Sequence, residues 1–164
     1  PARATLLRIT GGTRITEVDY DTYADGEAVL GWLNATAQLH AVGEPDWDAF
    51  CLSLMEQMQG EFRARSAEVA HVKLLLATTG GRITVNLTAT GGKPSLNGSA
   101  ERTVQDALLV INARVRMEPE DLRAVVERSV QAVCNGQVEA RITSIASFKP
   151  GRPQPTHRYA AVVS

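Results

Sequence analysis

Two stretches of the chain repeat one order of events, and the repeat narrows the folds open to it. WLNATAQLHAVGEPDWDAFCLSLMEQM and LVINARVRMEPEDLRAVVERSVQAV each pass from an alternating apolar run, through an acid-proline joint, into apolar residues at helical spacing. In the first, Leu33, Ala35, Ala37 and Leu39 alternate with Trp32, Asn34, Thr36, Gln38 and His40, the period of a strand with one apolar and one mixed face. Pro45 and Asp46 then offer a helix start, and Trp47, Phe50, Cys51, Leu54, Met55, Met58 and Phe62 recur at helical intervals up to about Arg65. In the second, Leu109, Ile111, Ala113, Val115 and Met117 alternate with polar or smaller residues. Pro119 opens a helix there, Leu122, Val125, Val126, Ser129, Val130 and Val133 share one face, and Asn135-Gly136 closes it. An Asn-Ala pair recurs at Asn34-Ala35 and Asn112-Ala113.

Each unit is followed by a further strand, HVKLLLAT after the first and VEARITSIASF after the second. Thr79-Gly80-Gly81 joins HVKLLLAT to RITVNLTAT with the chemistry of a hairpin turn. The expected class is therefore α+β: a ferredoxin-like split β-α-β pair with an extra hairpin strand, two helices on one face of an antiparallel sheet. An α+β sandwich of different strand order is the alternative. Phe50, Leu54, Met58, Leu122, Val126 and Val130 are expected to bury against Leu33, Leu39, Leu109 and Ile111. Residues 91–105, rich in glycine and polar side chains, read as a mobile loop. Residues 1–28 hold TLLRIT and TRITEV about Gly11-Gly12, an N-terminal hairpin or arm; 29–148 form the α+β domain, and 149–164 a proline-rich basic tail.

At 164 residues and 44% hydrophobic, the chain is long enough for one core that removes about two-thirds of the unfolded surface from water. A net charge of -1 provides no general attraction for nucleic acid. The charge is uneven, with acids over residues 17–27 and bases over 149–158. No apolar run approaches the roughly 18 residues of a membrane span, and no secretory layout opens the chain, so it reads as soluble and cytoplasmic, with no membrane partner.

Few residues carry chemistry. Asp21, Asp25 and Gly26 touch a calcium-loop pattern, but Tyr23 and Trp32 stand where a ligand and the closing bidentate Glu belong, so the acidic run reads as a wet lead-in to a strand. Cys51 and Cys134 have no metal or redox spacing and read as small helix residues. His40 and His71 could meet through neighbouring strands, yet nothing beside them completes a ligand set, so no metal site is expected beyond these two weak candidates. No nucleophile motif occurs, which argues against an enzyme.

DYDTYADGEAVLGWLNA, AEVAHVKLLL with VNLTA, LLVINARV and FKPGRPQPTHR together resemble the region that follows the GTPase domain in CobW-like, cobalamin-synthesis-type P-loop GTPases. The likeness runs from about Glu17 to Arg158. It implies a domain that serves metal or cobalamin cofactor handling. The P-loop, the Cys-x-Cys-Cys stretch and the guanine-reading N-K-x-D of that family have no counterpart in this chain, so GTP hydrolysis does not carry over and no cofactor is expected. The reading that follows is a non-catalytic partner-docking or regulatory domain, whose partner is another protein, its own GTPase domain or a second copy of the chain. Arg152, His157 and Arg158 on the stiff tail, and Trp32, Asn34 and Asn112 on the mixed sheet face with Gln38, His40, Arg114 and Arg116, are the partner-binding candidates. A stand-alone ferredoxin-like protein that binds a small ligand between sheet and loop 91–105 is the alternative. An RNA-binding module is the weaker one, since Trp32 is the one aromatic on that face and no RNP-like pattern occurs.

Overall fold

The computed structural model describes residues 29–151. The expected N-terminal hairpin or arm over 1–28, its acidic run, and Arg152, His157 and Arg158 of the tail lie outside the described residues.

Alternation sets the first strand. In β1, Gly31–Ala41, every odd-numbered residue is buried and the even ones face outward. Gly31 is required at its start: a Cβ there would lie 2.5 Å from the Met117 carbonyl oxygen. Asp46 then caps α1, Trp47–Ala64, its carboxylate accepting the Ala49 N–H at 2.9 Å. All seven apolar residues expected on its inner face are buried. The chain leaves α1 through Ser66, which holds a positive φ of 52°. The second helix, α2, Pro119–Cys134, begins with Pro119 in its first turn, followed by Glu120 and Asp121 at the positive end of the helix dipole. Asn135 ends it in the left-handed conformation, where a short polar side chain is tolerated.

The remaining strands are β2, Val69–Thr78; β3, Gly81–Leu87; β4, Ser95–Ala100; β5, Asp106–Val115; and β6, Val138–Phe148. They complete one six-stranded sheet in the order β4-β3-β2-β5-β1-β6, antiparallel at every pairing. β1 and β5 are neighbours in this order, and Asn34 stands directly opposite Asn112. The two halves of the sequence repeat thus meet at their shared Asn-Ala pair.

The fold is α+β with two helices on one antiparallel sheet, and the sheet is larger than expected by one strand. Ser95–Ala100 lies within the segment expected to be a mobile loop, yet it pairs along β3 from Asn86↔Ser95 to Gly81↔Ala100. The cause is that β4 is held chiefly by main-chain pairing: only half-buried Leu96 and Ala100 pack against the core and the other side chains are exposed, so no clear apolar alternation betrays it. Glycine makes the close approach feasible, since a Cβ on Gly98 would lie 2.1 Å from the Arg82 carbonyl oxygen.

The core lies between the helices and one face of the sheet. Leu33, Leu39, Leu109 and Ile111 meet Phe50, Leu54, Met58, Leu122, Val126 and Val130 there, all buried as expected. Each fully buried side chain of this size contributes about 1.5–3 kcal/mol. Glu61 on α1 accepts from Arg65 of the same helix and from Arg128 of α2, contacts that hold its carboxyl below the usual range, the Arg65 hydrogen bond foremost. Leu30–Lys149 form one compact unit, and among the described residues no helix is long and apolar enough to cross a membrane.

Candidate interaction surface on the open sheet face

Because side chains alternate across a strand, burying the odd residues of β1 places Trp32, Asn34, Thr36, Gln38 and His40 together on the face opposite the core. The same phase brings Arg114, Asn112, Val110, Leu108 and Asp106 alongside from β5. Lys73 on β2 lies opposite Asn112, and His71 opposite Arg114.

At one end of this face the Arg114 guanidinium sits 4.1 Å from the centroid of the Trp32 ring, the geometry of a cation–π contact. Phe148 on β6 tilts against the other side of the tryptophan, ring centroids 6.0 Å apart. Asn112 Nδ2 donates to Asn34 Oδ1 at 2.6 Å, and His71 Nε2 lies 3.0 Å from Asn86 Oδ1. A hollow of about 290 Å³ is lined by these groups, Asn86 apart, and by Lys73. Trp32 Nε1 is buried and has no hydrogen-bond partner among the described residues.

The other end differs. His40 Nδ1 lies 2.7 Å from Asp106 Oδ1, and Arg141 on β6 donates to Gln38 Oε1 at 3.0 Å. A hollow of about 670 Å³ opens beside them, and Leu108 stands 44% exposed at its wall. A third hollow, about 690 Å³, lies off the sheet face where Val42, Phe50 and Val133 are rimmed by Glu44, Asp46 and Glu56.

The structure brings together Trp32, Asn34 and Asn112 as the strand phase implies. It separates the two histidines: His40 pairs with Asp106 and His71 with Arg114, eight residues along β5, which is about 27 Å at strand rise. They therefore share no ligand set, and among the described residues no group of three or more His, Cys, Asp or Glu is placed to hold a metal ion. Arg116, expected on the open face, lies past the end of β5 and pairs with Glu68 at 3.0 Å. Residues 91–105 line none of the three hollows above; the segment is tied to α1 by Gln59, whose amide donates to the Gly92 carbonyl at 2.8 Å.

Lys73 and Phe148 are the members that sequence reasoning missed. The signal for Lys73 was present, since it shares the phase of His71 and Leu75 in β2. Phe148 had none, because a bulge between Thr36 and Ala37 shifts the phase of β6. Burial pushes the Cys51 thiol up to about 12 and raises that of half-buried Cys134 as well, which disfavours the thiolate at both. The open face presents hydrogen-bonding groups, cations and an aromatic corner. Compared with known proteins, the chain matches no family model, no curated protein and no solved structure.

Proposed function

We propose that residues 29–148 are a non-catalytic partner-docking domain, built on a ferredoxin-like core of β1-α1-β2 and β5-α2-β6 to which the β3-β4 hairpin adds two strands, and that its open sheet face receives another protein. The observation that carries the reading is the side-chain set of that face. Arg114 stacked on Trp32, the Asn34–Asn112 pair, and exposed Leu108 and Phe148 give no burial to the core, yet they combine the aromatic, arginine and apolar groups that protein interfaces favour. The resemblance to the C-terminal region of CobW-like GTPases supplies the setting, delivery of a metal or cobalamin cofactor, with the partner a GTPase domain or a client.

The Trp32 ring already has Arg114 over it, which leaves less of its surface for stacking a nucleobase. That favours protein over RNA. A photo-cross-linking residue placed at Asn34 or Asn112 in the full chain, and for comparison at the exposed Arg123 on α2, tests the reading in cells. The expected result is discrete protein adducts from the two sheet positions and none from Arg123. Equal labelling from all three positions would overturn it, as would adducts to RNA alone.

A further inference from the structure

The open face is not charge-balanced. Lys73, Arg82, Arg114 and Arg141 stand on it against two carboxylates, Asp106 and Glu139. Both carboxylates lie at the end remote from Trp32, and Asp106 is engaged by His40. Among the described residues none of the four cations makes an ion pair. Around the Trp32 corner the side-chain groups left unpaired among the described residues are nearly all donors. Arg114 and Lys73 are on adjacent strands within two residues of register, with the Trp32 ring between Arg114 and Phe148.

Trp32 Nε1 adds an independent sign. A buried donor without an acceptor costs about 1–3 kcal/mol, and among the described residues Trp32 Nε1 is such a donor, so an acceptor brought to it would be favoured. Arg114, Lys73 and Trp32, each with a donor that lacks an acceptor among the described residues, all line one small hollow.

Resting on the docking reading above, we infer that the Trp32 corner binds carboxylates of an acidic peptide segment in the partner, with Asp or Glu side chains held between Arg114 and Lys73 and the adjoining chain laid along the Asn34–Asn112 pair. Charge selects the occupant: an acidic segment neutralises cations that are unpaired among the described residues, and it avoids the Asp106 and Glu139 end by like-charge repulsion. Stacking on Trp32 orients the Arg114 guanidinium before binding, so little freedom is lost when a carboxylate meets it.

The chain carries two tryptophans, and they make the test internal. Trp47 is buried in the core, with its indole N–H donating to the Val104 carbonyl at 2.9 Å, whereas Trp32 is at the proposed site. An ¹⁵N-labelled full chain is titrated with an N-acetylated hexaglutamate peptide, with hexaglutamine as the uncharged control and hexauridylate as the nucleic-acid control. Hexaglutamate should move the Trp32 indole signal saturably and leave that of Trp47 in place, with affinity that falls as salt rises. Arg114→Gln and Lys73→Gln should each weaken binding about tenfold, and Arg123→Gln on the outer surface of α2 should change nothing. The unmoved Trp47 signal reports in each variant that the core is intact. The inference is overturned if hexaglutamate leaves Trp32 in place, if hexaglutamine moves it equally, or if hexauridylate binds more tightly. Should sheet-face cross-links to protein persist while hexaglutamate has no effect, docking stands and the acidic-segment inference alone falls.

Discussion

The two faces of the central sheet are built by the same strands from alternate residues, and they differ in almost every physical respect. On the covered face Leu33, Leu39, Leu109 and Ile111 are at most 2% exposed and belong to one buried cluster with residues of both helices. On the open face, one residue along the same backbone, stand Asn34, Gln38, Leu108 and Asn112, all exposed. The covered face is what folding requires, because burial of apolar surface is the main favourable term. The open face is under no such demand. Its cations, its stacked tryptophan and its exposed Leu108 are therefore the part of the molecule whose composition stability leaves unexplained.

The contrast can be broken most directly at Phe50, which packs edge-on to Trp47 with ring centroids 5.8 Å apart. Phe50→Ala should cost about 3–5 kcal/mol of unfolding free energy in a denaturant titration. A loss under about 1 kcal/mol would mean that the covered face is not where stability resides.

A smaller effect should appear in alkali, through Cys51 on the same face. Its thiol, raised from an ordinary 9.0 to about 12 by desolvation and then by the Asp48 charge, stays protonated in the folded chain while the unfolded chain ionises. The folded state then binds more protons than the unfolded one, so stability is intact below pH 9.0 and falls as pH rises toward 12. Cys51→Ala should flatten that alkaline slope. In the native chain a thiol reagent should label half-buried Cys134 well before Cys51; equal rates would show the covered face open to solvent.

The smallest change is expected on the open face. Asn112→Ala removes the hydrogen bond to Asn34 among exposed groups and should cost no more than about 1 kcal/mol, while weakening capture of hexaglutamate. A cost near that of Phe50→Ala would erase the distinction between the faces.

Legibility in the sequence follows the same division. Where a residue's burial alternates with its neighbour's, the chain announces its own structure: β1, β5 and the inner faces of both helices were readable from apolar spacing, and the helix ends from Asp46, Pro119 and Asn135-Gly136. β4 was not, because main-chain pairing leaves no mark on side-chain polarity, and a polar, glycine-bearing edge strand looks like a loop. The candidate site was half legible. Trp32, Asn34 and Asn112 could be assigned to one face from strand phase alone.

Period and caps, local properties of the chain, thus determined which residues turn inward and that the class is α+β. Strand order and register were decided only in three dimensions, because they depend on which distant strands share an edge. Register is what placed Arg114 over Trp32, set Lys73 beside Asn112, moved Phe148 into the corner through a bulge, and left His40 and His71 at opposite ends of the sheet. A one-residue shift of β5 would send Arg114 and Asn112 to the core face, so the surface exists only because packing of the covered face fixes the register.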